Sequence, residues 1–122
     1  MGYEIDGIEQ IEYPELQEIV NRKEKEPILI DVRELEEYEN GHIPSIPLIP
    51  MNSIPTVLEE LDKEKEYVFV CRSGNRSHHV ALFLKQNGFE KVSNYAGGML
   101  GWEGELEVGV TNVVKDVKEI YK

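Results

Sequence analysis

Cys71, the only cysteine of the chain, opens the run Cys71-Arg72-Ser73-Gly74-Asn75-Arg76-Ser77, and each of these residue types bears on the chemistry of an anion. A thiolate is a nucleophile. A short Gly-containing loop that leads into a helix aims several backbone N–H groups at one point, and the helix N-terminus adds a partial positive charge there. If the anion so held is the Cys71 thiolate, the same field favours its ionised form, with Arg72 and Arg76 reinforcing it. The competing reading is that a lone cysteine only fills space in a core. Two arginines beside it argue against an apolar setting, although either could pair with one of the chain's own carboxylates. Arg76 would lie near the first turn of a helix, where a cation opposes the dipole, so an anionic partner is expected for it.

The elements that must position this loop are legible as hydrophobic patterns. Ile28-Leu29-Ile30 and Tyr67-Val68-Phe69-Val70 are short apolar runs that read as buried strands, and a further strand is predicted over Val92 to Tyr95. Helical spacing predicts Pro14 to Lys23, Glu34 to Asn40 stopped by Gly41, a third helix from a capping Ser53 to about Leu61, and the longest from Asn75 to Asn87 before Gly88. Pro44, Pro47, Pro50 and Pro55 make the intervening stretch extended, and Pro47 confines any strand there to an edge or a very short piece. Strands alternating with helices on short connections predict an α/β domain with a mainly parallel central sheet and helices on both faces. In such a sheet, ligands bind outside the carboxyl ends of the strands, which is where Cys71 would fall.

Length and charge narrow the function classes. A chain of 122 residues is about one domain long. A net charge of −11 opposes general affinity for nucleic acid or an anionic membrane. Met1 to Asp6 carries neither a basic start nor an apolar run, and with a single cysteine the expected location is the cytoplasm. His78 and His79 are adjacent on a predicted helix, so their side chains point about 100° apart and no metal site is expected from them.

With these residues in place, the chain resembles the single-domain rhodaneses. The resemblance is carried by Leu29-Ile30-Asp31-Val32-Arg33-Glu34, by Glu37-Tyr38 and Gly41-His42-Ile43-Pro44, by the loop Cys71 to Arg76, and by Tyr95-Ala96-Gly97-Gly98 followed by Trp102. It covers roughly residues 8 to 105 of a single domain spanning 1–122, which leaves 106–122 as an extension of open conformation. The resemblance implies a rhodanese-like fold and a thiosulfate sulfurtransferase that needs no cofactor. Sulfane sulfur would pass from thiosulfate or another persulfide donor through a Cys71 persulfide to cyanide or a thiol, with a protein donor or acceptor as a further partner. Carried over by position, Cys71 is the nucleophile. The amides of Arg72, Ser73, Gly74, Asn75, Arg76 and Ser77 form the cradle, with Arg72 and Arg76 holding an anionic donor. Asp31 and Arg33 match a strand-end pair that either supports the site or only fixes the neighbouring loops. His42 is expected to pin the turn after the second helix, and Trp102 with Gly97-Gly98 to flank the pocket.

The chain departs from the family pattern after Pro44, where Ser45 and Ile46 stand in place of a Gly-Ala pair. Two competing functions share these features. Cysteine-dependent phosphatases use a related cradle, but theirs is one residue longer between cysteine and arginine, whereas only Arg72, Ser73, Gly74 and Asn75 intervene here. A relay or interaction module without efficient thiosulfate turnover would need the same loop.

Overall fold

The computed structural model describes residues 3–22, 24–110 and 112–121. Its sheet has the order β1-β2-β5-β4-β3. β1 (Tyr3–Ile5) and β2 (Ile8–Ile11) form an antiparallel hairpin, while β2, β5 (Val92–Tyr95), β4 (Tyr67–Val70) and β3 (Ile28–Asp31) run parallel. The three predicted strands are therefore present, and the hairpin is an addition. It turns at Asp6-Gly7, both at positive φ (56° and 80°), the conformation that an Asp-Gly hairpin loop favours. Asp6-Gly7 was the sequence signal available for it.

Helices cover both faces. Val68 and Val70 point to one side, where they cluster with Leu16 of α1 (Tyr13–Arg22) and Tyr38 of α2 (Leu35–Glu39). Tyr67 and Phe69 point to the other, where they meet Ile54 of α3 (Ile54–Val57) and Val80, Ala81 and Leu84 of α4 (Asn75–Gln86). Lys23, the predicted end of the first helix, lies outside the described residues. Gly88 ends α4 at φ 96°, as a left-handed stop requires.

The third predicted helix needs correction. In place of one helix from Ser53 to Leu61, a 3-10 turn (Met51–Ser53), the single α-turn of α3 and a second 3-10 turn (Leu58–Glu60) follow one another. Ser53 is itself helical (φ −88°, ψ −16°) and its side chain makes no capping bond, because the chain enters from Pro50 through the preceding turn. At Val57 the backbone opens to φ −102°, ψ 5°, and the next turn tightens to 3-10 form, a common way to end a helix. The apolar stripe survives, with Ile54 and Leu61 buried.

The proline-rich stretch between α2 and α3 adds to the open edge of β3. Asp31 N donates to Pro47 O (2.9 Å) and Ile49 N to Asp31 O (3.0 Å), a one-residue extension of the sheet consistent with the constraint Pro47 imposes. The C-terminal stretch then lies along this edge. Leu48 N donates to Asn112 O (3.0 Å), Val114 N to Leu48 O (3.2 Å), and Val117 is buried in the α3/α4 cluster. Tyr121 reaches Tyr67, with 2.6 Å between the hydroxyls. Among the described residues no helix is long and apolar enough to cross a membrane.

Candidate active site

Cys71 follows the last residue of β4, so its side chain sits at the carboxyl edge of the parallel sheet, before the N-terminus of α4. It is fully buried. Its Sγ accepts a hydrogen bond from Gly74 N (3.1 Å) and lies 3.2 Å from the Ser77 hydroxyl. The loop can turn this tightly because Gly74 adopts φ 96°, and because a Cβ there would lie 2.2 Å from Ala96 O. Gly98 mirrors it: a Cβ at that position would lie 2.3 Å from Arg72 O and 2.6 Å from Ser73 N. The loop is thus seated on the turn after β5, which also donates Met99 N to Cys71 O (2.8 Å) and Leu100 N to Arg72 O (3.0 Å).

Behind the sulfur lies a buried polar chain. The Ser77 hydroxyl also donates to Asn94 Oδ1, and Asn94 Nδ2 donates to Gln10 Oε1 (2.8 Å) and to Gly74 O (3.1 Å). Gln10 Nε2 donates to Ile8 O (3.0 Å) and meets His78 Nδ1 (3.2 Å), whose Nε2 faces Asp6 Oδ2 (3.0 Å). Ser77, Asn94 and Gln10 are all buried, so each satisfied bond avoids the cost of a stranded polar group.

On the open side stands a charge pair. Arg76 donates from Nη1 to Glu37 Oε1 (2.7 Å) and from Nη2 to Glu37 Oε2 (2.8 Å), a bidentate geometry that binds α4 to α2. Glu37 Oε1 also accepts Glu34 N (3.0 Å) in a capping box. The hydrogen bonds from Arg76 outweigh desolvation and hold the Glu37 carboxyl down at about 2, and Glu37 in turn raises Arg76 above the ordinary guanidinium value. The anion on Arg76 is therefore internal to the chain. Arg72 is exposed, and among the described residues its guanidinium has no hydrogen-bond or ion-pair partner.

The model of the rhodanese-like domain family matches residues 14–105. The chain belongs to the rhodanese-like family. It is 50% identical over 100 residues to the YtwF protein of Bacillus subtilis, covering 82% of this chain and 95% of that one. It is 35% identical over 80 residues to GlpE, a thiosulfate sulfurtransferase of Pseudomonas syringae, covering 66% and 76%. A rhodanese-like domain protein from Staphylococcus aureus superposes with a TM-score of 0.71 at 38% identity, covering 83% of this chain and 98% of that one. These relatives make the chain a member of a sulfurtransferase family.

Within the rhodanese-like frame, the residues singled out from sequence fall into groups. Cys71, Gly74 and Ser77 converge on the sulfur, whereas the side chains of Arg72, Ser73 and Asn75 are exposed and Arg76 is held by Glu37. Asp31, the last residue of β3, and Arg33, just beyond it, form a buried bidentate pair, with Nη2–Oδ2 at 2.8 Å, and Arg33 also donates to Gly41 O (2.8 Å), tying the strand end to the turn after α2. His42 is buried against Tyr38, ring centroids 3.7 Å apart, and its Nε2 faces Glu107 Oε1 at 3.2 Å. Trp102 packs edge-on to Tyr13. Ser45 adopts φ 66°, the conformation a glycine would take, and is held there by Glu107 Oε1 on its N–H (3.1 Å) and Asn112 Nδ2 on its carbonyl (3.0 Å).

Sequence reasoning missed Asn94, Gln10 and the pairing of Glu37. The available signal for the first was a polar Ser93-Asn94 pair inside a fully buried strand, where an unsatisfied amide would be costly.

Proposed function

We propose that this chain is a sulfurtransferase that carries sulfane sulfur as a persulfide on Cys71. The observation that carries the reading is the convergence of Gly74 N–H and the Ser77 hydroxyl on Sγ at the N-terminus of α4. The Cys71 thiolate attacks the outer sulfur of thiosulfate, a new S–S bond forms to Sγ, the S–S bond of the donor breaks, and its electron pair leaves with sulfite. The persulfide anion then lies among the loop amides from Arg72 to Ser77, where the first turn of a helix has N–H groups without intrahelical acceptors. Cyanide or a thiol takes the terminal sulfur in a second displacement and regenerates the thiolate. Arg72, exposed beside the nucleophile, attracts the anionic donor. Asp31 and Arg33 support the site by holding the adjoining strand end and loop. The fully buried sulfur favours small donors and acceptors, and a lone thiol suits a reducing cytoplasm.

The test is intact mass after incubation of reduced protein with thiosulfate, followed by cyanide and a thiocyanate assay. A single added sulfur on wild-type protein, absent from Cys71→Ala and discharged by cyanide, is the expected result. A folded protein with a reactive thiol that takes no sulfur from thiosulfate would replace this donor with a protein persulfide relay.

A further inference from the structure

The two arginines of the loop are not equivalent cations. Arg72 is exposed, whereas both terminal nitrogens of Arg76 are committed to Glu37 at 2.7 and 2.8 Å, and the two side chains share a half-buried position (30% and 29% exposed). A guanidinium with a bidentate carboxylate presents almost no net charge to an approaching ion. Glu37 is ionised at every neutral pH, because its carboxyl is held at about 2. Arg76 stands on the first turn of α4, next to Ser77, whose hydroxyl lies 3.2 Å from Sγ. An anion arriving at Cys71 therefore meets one unopposed cation and one cation cancelled by a fixed carboxylate.

We infer that Glu37 is a specificity-determining residue, which by neutralising Arg76 biases the site against doubly charged sulfur donors and toward singly charged ones. The inference rests on the persulfide role of Cys71 proposed above. Its chemistry balances for both donor classes. Thiosulfate, a dianion, gives up its outer sulfur and leaves as sulfite. Methanethiosulfonate, a monoanion, undergoes the same displacement and leaves as methanesulfinate. The new S–S bond, the broken S–S bond and the persulfide formed are the same, so the two donors differ at the site chiefly in charge.

The charge argument fixes a ratio as well as a direction. Removing one unit of negative charge changes the interaction energy of a dianion twice as much as that of a monoanion at the same place. The fold-gain for the dianion is then the square of that for the monoanion. In Glu37→Gln, which keeps one oxygen to accept from Arg76, kcat/KM should rise roughly tenfold for thiosulfate and roughly threefold for methanethiosulfonate. Arg76→Gln supplies the reciprocal case: the uncancelled carboxylate lowers thiosulfate more steeply than methanethiosulfonate. It also keeps the inference testable should Glu37→Gln fail to fold, as circular dichroism would reveal.

The experiment measures Cys71 persulfide by intact mass and kcat/KM by cyanide-coupled turnover, for both donors and all three proteins. A selective gain for the dianion in Glu37→Gln, with a selective loss in Arg76→Gln, supports the inference. Equal changes for the two donors in a folded variant mean that the pair only braces α2 against α4, and overturn it. No Cys71 adduct from either donor on wild-type protein overturns small-molecule donation to Cys71 first, and the inference with it.

Discussion

Ser77 has one hydroxyl proton and faces two acceptors, Cys71 Sγ and Asn94 Oδ1. Because Asn94 uses both of its N–H bonds on Gln10 and Gly74, its oxygen has Ser77 as donor whenever the sulfur does not claim the proton. The hydroxyl is thus a donor that can turn toward sulfur as negative charge builds there. Ser77→Ala should slow sulfur loading from thiosulfate about tenfold, since a charge-directed hydrogen bond is lost. The same change strands Asn94 Oδ1 and should cost about 1–3 kcal/mol in urea unfolding. Equal loading rates in the two proteins would confine Ser77 to a packing role. At this scale the sequence was legible where the site is contiguous: Cys71, Gly74 and Ser77 lie on one loop, and their types announce an anion cradle. Asn94 and Gln10 come from β5 and β2, and only the sheet brings them within reach of the loop. Arg76 was read as needing an anion, and its anion is Glu37, from a helix on the far side of β4 in the chain.

Between elements, the pair Glu37–Arg76 is a clamp with a defined pH range. The folded-state value of the Glu37 carboxyl is depressed from 4.5 to about 2. A depressed carboxyl contributes stability that is fully present above its unfolded value and is lost as pH falls through the folded one. Wild-type protein should therefore exceed Glu37→Gln by about 1 kcal/mol near neutral pH, a modest figure because the pair is part-exposed. That difference should shrink as pH drops from 4.5 toward 2. Urea titrations of both proteins across this range would show it, and a gap that does not narrow in acid would mean that the carboxylate is not the source. The strands and helices around the clamp were legible because apolar runs and 3.6-residue spacing are local signals. The failures were local conflicts. Pro55 and the open backbone at Val57 divide the helix expected from Ser53 to Leu61 into separate turns although its apolar stripe is continuous. The hairpin β1–β2 is short and its first strand fully exposed, so it lacks the buried run by which the other strands announce themselves.

Across the whole molecule, the two ends of the chain finish opposite sides of the sheet. The hairpin adds β1 beside β2, and the C-terminal stretch runs beside Leu48, its valine-rich pattern resolved into one anchoring side chain, Val117, with neighbours Val114, Ile120 and Tyr121 packed against the α3/α4 core. Sequence could not choose this conformation because the contacts that anchor it, to Leu48 and to the α3/α4 core, are distant in the chain. Val117→Ala should cost about 1–2 kcal/mol and lower Tm by roughly 3–8 °C in a scan, leaving sulfur loading at room temperature intact. An unchanged Tm would mean that the stretch detaches at no cost. One further consequence follows from a sulfur that is both buried and alone. In this sequence there is no second thiol, so a loaded Cys71 cannot close an internal disulfide and expel its cargo as hydrogen sulfide. Discharge then requires collision with another molecule small or well fitted enough to reach the loop. On the sulfur-transfer reading proposed above, the loaded state would be a reservoir, with a lifetime set by the concentration of acceptors around it.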